Sequence, residues 1–137
     1  MAQDLLKAYY QALYGVRLST GEITLKVGER NQRLIDLLQQ YQFSDWAYLT
    51  AANPKSELLN DEENNLRNQN LTLILNKEKY LYFEGEGRSS QGTWPAEKSF
   101  LVLGISAKKA CQLGKCFQQN AILIGTSLGI PVLRILV

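Results

Sequence analysis

The sequence predicts a single-domain α+β sandwich, with about four helices packed on a mixed sheet of six to seven strands. Three observations carry this expectation. Apolar residues recur at helical spacing in separated segments, short β-prone runs lie between them, and the order strand, helix, strand occurs twice, over residues 22 to 51 and 98 to 124. Units of that kind usually close as right-handed parallel crossovers. A chain of 137 residues, 45% of them hydrophobic, can bury one core of this size. No repeat, low-complexity tract or linker divides it, so residues 1 to 137 form one domain.

Leu5, Leu6, Tyr9 and Leu13 share one face of an opening helix that Gly15 would stop. "VRLSTGEITLKV" reads as a hairpin turning at Thr20 and Gly21, and Leu34, Leu37, Leu38 and Tyr41 then mark a second helix. "DWAYLTAA" resumes as a strand. The third helix runs from near Asn60 to about Asn76, and "KYLYFEGEG" and "KSFLVLGI" follow as strands around a long loop, residues 85 to 98. Ser106 caps a fourth helix reaching Phe117, with Ala110, Leu113 and Phe117 facing inward. "AILI" and "VLRILV" are closing strands around the glycine- and proline-containing turn "GTSLGIP".

Fifteen Lys and Arg against thirteen Asp and Glu give a net charge of +2, with no basic run that would cover a nucleic acid or an acidic membrane. The start "MAQDLLKAYYQALYG" has neither the basic lead nor the apolar core of a signal peptide or membrane span, so a cytoplasmic address is expected. Cys111 and Cys116 point in different directions on a helix and read as reduced, buried thiols. The chain has no histidine, which removes the commonest general base, the Ser-His and Cys-His dyads and the usual zinc ligand. No metal and no cofactor is expected. The segment "GEGRSSQG" lacks the ending and the following helix of a phosphate loop.

The informative stretch is "TAANPKSELLNDEENNLRNQN", residues 50 to 70, with six asparagines and one arginine around the start of the clearest helix. Asn60 as cap, with Glu63 reaching back, is ordinary capping. Capping does not account for Asn64, Arg67 and Asn68, which with Leu71 and Leu75 follow helical spacing along one face. Since the leucines must turn inward, the polar three go the same way, and unpartnered they would cost about 1–3 kcal/mol each. Two readings compete. In one, Asn and Arg tie down the irregular turn before the helix by bonding its carbonyls. In the other, Arg67 joins Thr50, Asn53, Ser56, Asn64 and Asn68 in a polar pocket at a strand end and clamps a small anion through its planar fork. Glu63, four residues before Arg67, is a competing partner for that fork. Trp94 beside Pro95 in the long loop reads as an anchor over the sheet edge, or as an apolar wall of the pocket to which Glu97 supplies a carboxylate. Gln119 and Asn120 either satisfy backbone groups or face the same cleft.

Four blocks in order, "AYLTAANPKS", "ENNLRNQNLTLIL", "WPAEKSFLVLGI" and "FQQNAIL", resemble an uncharacterised bacterial family of domains of unknown function catalogued under the number 3293. The resemblance covers about residues 46 to 124. The family pattern is closer to Phe-Gly-Gln before "NAI", so Gln118 stands where a small residue would ease a tight turn. What the resemblance implies is a small stand-alone protein whose activity the family does not settle.

Three classes of function stay open. A non-catalytic module that binds a small anionic ligand or a protein fits the amide-rich site and the missing histidine, and ranks first. An enzyme would use Glu63, Glu86 or Glu97 as acid or base on a nucleotide or other small anion, and would need such a carboxylate, with a perturbed pKa, inside a cavity. A structural protein would form a homodimer by pairing "VLRILV" at a sheet edge.

Overall fold

The computed structural model describes the whole chain, residues 1–137. Its elements follow the periodicities closely: α1 Gln3–Gln11, β1 Leu13–Leu18, β2 Gly21–Leu25, α2 Gln32–Tyr41, β3 Trp46–Leu49, a 3-10 turn at Pro54–Ser56, α3 Asp61–Lys77, β4 Leu81–Arg88, β5 Glu97–Leu103, α4 Ala107–Cys116, β6 Ala121–Gly125 and β7 Val132–Ile135. Side chains cap the last three helices. Asn31 Oδ1 accepts from Leu34 N, Asn60 Oδ1 from Glu63 N and Ser106 Oγ from Lys109 N, each filling one of the orphan donors of a first turn. Gly15 does not stop the first helix. That helix ends at Gln11, and Gly15 lies inside β1.

The strands form one seven-stranded sheet in the order β2-β1-β4-β5-β3-β6-β7, and every neighbouring pair is antiparallel. The expected crossovers are therefore realised without parallel pairing. β5 and β6 do run in the same direction around α4, but β3 is inserted between them and pairs antiparallel with both, through Trp46↔Leu103 on one side and Trp46↔Gly125 on the other. β2 and β3 likewise share a direction, with β1, β4 and β5 lying between them.

Alternation along the strands assigns the faces. Trp46, Tyr48, Leu101, Leu103 and Leu123 pack with Leu34, Leu37 and Leu38 of α2 on one side. Ala47, Leu49, Phe100, Val102, Ile122 and Ile124 pack under α3 and α4 on the other, against Leu71, Leu75, Ala110 and Leu113. The sheet thus has helices on both faces. α1 contributes no fully buried residue, yet its partly buried Leu5, Ala8 and Tyr9 stand on the α2 side near the ends of β3 and β5. β7 forms one border of the sheet, where Val132 and Ile135 are exposed. No helix is long and apolar enough to cross a membrane. Both thiols are free, and Cys116 is exposed rather than buried.

β1 and β4 approach so closely that only a glycine fits at position 85. A Cβ on Gly85 would lie 1.9 Å from the carbonyl oxygen of Gly15. That carbonyl accepts a buried hydrogen bond from the Tyr48 hydroxyl at 2.8 Å, which ties the curled end of the sheet to its centre. Gly85→Ala must push the two strands apart, and overpacking of this kind costs about 3 kcal/mol. Urea unfolding of that variant is expected to show a lower midpoint at unchanged slope.

Candidate functional site

Beyond Leu49 the chain leaves the sheet yet stays buried through Ala51, Ala52 and Asn53. Backbone N–H and C=O groups in such a run have no strand partner and must be met elsewhere. Side chains meet nearly all of them. Ala51 N donates to Asn68 Oδ1 at 2.9 Å and Asn53 N to Asn64 Oδ1 at 2.9 Å, while Ala52 N donates to Thr50 Oγ1 at 3.1 Å. Arg67 Nε donates to the Ala51 carbonyl at 2.6 Å and Gln119 Nε2 to the Ala52 carbonyl at 2.9 Å. The Asn53 carbonyl accepts from Ser56 N.

These bonds hold an uncomfortable backbone. Asn53, Lys55 and Ser56 all have positive φ, at 48°, 54° and 61°. Non-glycine residues occupy that region only where the surroundings insist. Gln118 also has a positive φ of 60°, so the tight turn persists despite the missing small residue. Its carbonyl accepts from Lys55 N at 2.7 Å, joining the two strained segments.

Asn64, Arg67 and Asn68 therefore turn inward along α3 with their polar atoms committed. The second Arg67 donor, Nη2, goes to the Phe117 carbonyl at 2.5 Å, and Asn68 Nδ2 goes to the Lys98 carbonyl at 3.2 Å. Arg67 makes no ion pair with Glu63. None of the three lines the cleft that the other candidates share, and the reading in which they tie down the turn describes their geometry.

The remaining candidates do come together. Thr50, Asn53, Ser56, Trp94, Glu97 and Gln119 line a cleft of about 120 Å³ between α1, the 89–96 loop and the α2 side of the sheet. Leu5, Ala8, Tyr9, Tyr14, Tyr48 and Leu123 are among the other walls, so apolar surface meets a polar end where Asn53 bonds Glu97 and Ser56 bonds Tyr9, and Arg88, Ser89 and Ser99 add further polar groups to the lining. β4 extends to Arg88, which shortens the expected long loop to residues 89–96. Glu63 and Glu86 are exposed and lie outside the cleft. The tyrosines were legible only as core residues. Tyr9 is brought here by its hydroxyl contact with Ser56 Oγ, 2.6 Å long and 47 positions away in sequence, which no local pattern signals.

Glu97 is the one carboxyl in the lining of the cleft. Burial pushes its carboxyl pKa above the ordinary 4.5, and the hydrogen bond that Asn53 Nδ2 donates to Oε2 at 2.8 Å opposes this only in part. Burial likewise raises the Tyr9, Tyr14 and Tyr48 hydroxyls, which stay protonated at neutral pH. Glu97 joins no ion pair, and its Oε1 has no hydrogen-bond partner in the protein. Arg88 is the lone cationic lining residue, and it is paired with Glu22 at 3.0 Å. Most side-chain donors are also spent on the protein: Tyr14 on the Tyr9 carbonyl, Tyr48 on that of Gly15, Thr50 on that of Lys98 and Ser99 on that of Glu97.

Residues 49–122, more than half of the chain, match the family described as protein of unknown function (DUF3293), and the chain belongs to that family. No curated protein and no solved structure matches it.

Substitutions at two positions separate the scaffold from the cleft. Arg67→Ala removes two charge-assisted hydrogen bonds to backbone carbonyls and is expected to cost about 3 kcal/mol in urea unfolding. Arg67→Lys should recover little of it, since an ammonium cannot reproduce the two-pronged geometry. Glu97→Gln acts oppositely. A carboxyl with a raised folded-state pKa adds stability below its unfolded pKa and loses it as pH rises through the folded value. Glu97→Gln should therefore melt higher than the parent at pH 7, and the difference should vanish near pH 4.

Proposed function

We propose that this member of the DUF3293 family is a non-catalytic module that binds a small molecule in the cleft beneath α1. The observation that supports it most is the pairing of an apolar cavity with a single unpaired carboxyl, Glu97, at its polar end. Ligand sites commonly have this composition, with a few placed polar groups in an otherwise apolar enclosure. Rigid support favours the reading too, since the Asn53 side chain that holds Glu97 is itself held. Asn53 Oδ1 accepts from Asn64 Nδ2 at 2.8 Å and from Leu59 N at 2.9 Å. The reading extends to a bacterial cytoplasm, supported by the two free cysteines and by the resemblance of the sequence blocks.

A second reading is an enzyme with Glu97 as general acid or base, favoured by the raised pKa of that carboxyl inside a cavity. It ranks lower because the donors that would stabilise a developing negative charge are already engaged. Tyr9 also holds its own proton and does not activate Ser56 at neutral pH.

A melting screen of the full chain against small cations, neutral molecules and anions tests the proposal. A ligand at 100 times its Kd adds about 2.7 kcal/mol of stability, a shift of several degrees. The shift is expected to disappear in Ala8→Trp, which fills the cleft from α1, while that variant keeps the parent melting temperature without ligand. No shift from any class overturns the proposal in favour of a protein partner. Conversion of the ligand, lost in Glu97→Gln, decides for the enzyme.

A further inference from the structure

The chemistry of the polar end restricts what can bind there, and this step rests on the cleft being a ligand site. Glu97 lines the cleft and its Oε1 has no hydrogen-bond partner in the protein, whereas Asn53 Nδ2 donates one hydrogen to Glu97 Oε2 and Gln119 Nε2 donates to the Ala52 and Phe117 carbonyls. Gln119 Oε1, on a buried side chain, also has no hydrogen-bond partner in the protein. The polar end is therefore biased towards acceptors. Its uncommitted donors are the second amide hydrogen of Asn53 and one hydroxyl hydrogen of the Tyr9–Ser56 pair, where two hydroxyls share a single contact and Ser56 Oγ already accepts from Asn120 Nδ2.

Charge points the same way. An enclosed carboxylate without a counter-charge favours either its own protonation or a bound cation, and a free anion placed beside it is repelled. The one cation at the lining is held by Glu22. A small anion, the ligand expected from the sequence when Arg67 was placed in the pocket, does not meet that guanidinium, because Arg67 is spent on the Ala51 and Phe117 carbonyls, and the Arg88 guanidinium is already paired with Glu22. The rest of the cleft offers apolar surface from Leu5, Ala8, Leu123 and Leu133, with the Trp94 indole at the loop side.

We infer that the cleft selects a small organic amine, its ammonium group donating to Glu97 Oε1 and its apolar body lying along α1 and the sheet beside Trp94. An ammonium has three donors and no acceptor, which complements the two free side-chain oxygens.

Three molecules with one body test this: phenethylamine, 2-phenylethanol and phenylacetate, titrated calorimetrically into the full chain at pH 7. The amine is expected to bind at least tenfold more tightly than the alcohol, and the carboxylate most weakly. Glu97→Gln should weaken the amine at least tenfold and leave the alcohol within about threefold, which also shows that the variant keeps its cleft. Ala8→Trp should abolish binding of all three. If the alcohol or the carboxylate equals the amine, or if Glu97→Gln leaves the amine unchanged, the amine assignment is overturned and the binding site stands. Amine binding that survives Ala8→Trp places it elsewhere and overturns the assignment. Binding by none of the three overturns both the assignment and the site.

Discussion

The structure depends on satisfying three buried residues that belong to no strand. Ala51 to Asn53 continue β3 into the interior, and the protein meets their backbone groups with Thr50, Asn64, Arg67, Asn68 and Gln119. A buried amide or carbonyl left unpaired costs about 1–3 kcal/mol. Removing even part of this set would therefore consume a large share of the 5–15 kcal/mol typical of a domain. The asparagine-rich start of α3 follows from that constraint. A strand partner would have required another segment in the sheet, whereas amides on a helix deliver a donor and an acceptor together. Asn68 uses both, accepting from Ala51 N and donating to the Lys98 carbonyl, so one side chain bridges the turn to β5.

The same bonds produce the cleft. With 51–53 fixed, the strained 53–56 turn is fixed, and Asn53 and Ser56 present their polar atoms to the space under α1. Asn53 accepts from α3's Asn64 on one side and donates to Glu97 on the other. Rigidity passes from scaffold to site through that single amide. Arg67 belongs to the scaffold because its guanidinium reaches two carbonyls on separate segments, which a ligand clamp could not do at the same time.

Much of this was legible in the sequence. Helical spacing located α2, α3 and α4, and the caps Asn60 and Ser106 sit where their residue types predict. The polar face of α3 was legible as inward-facing, since Asn64, Arg67 and Asn68 share a stripe with Leu71 and Leu75. Two things were not. Pairing order was hidden because β3 separates two strands that local order makes consecutive around α4, and nothing in residues 98 to 124 reports what lies between them. The partners of Arg67 were hidden for a similar reason. Phe117 offers it a backbone carbonyl, which every residue possesses and which leaves no trace in residue type. Gly15 misled in the ordinary way, since it lies inside β1, where its backbone is closely approached by Gly85, instead of ending a helix.

The insertion of β3 between β5 and β6 shapes how the chain must assemble. Trp46 reaches the Thr126 carbonyl across 80 positions of sequence, and both neighbours of β3 are synthesised long after it. The apolar run Trp46–Leu49 has both edges unpaired until β5 is made, and one edge unpaired until β6 follows. Loop-closure entropy must be met before the middle ladder returns anything, which is the topology of slow folding. Until both ladders form, this segment is an exposed apolar stretch of the kind that makes partly folded chains prone to associate.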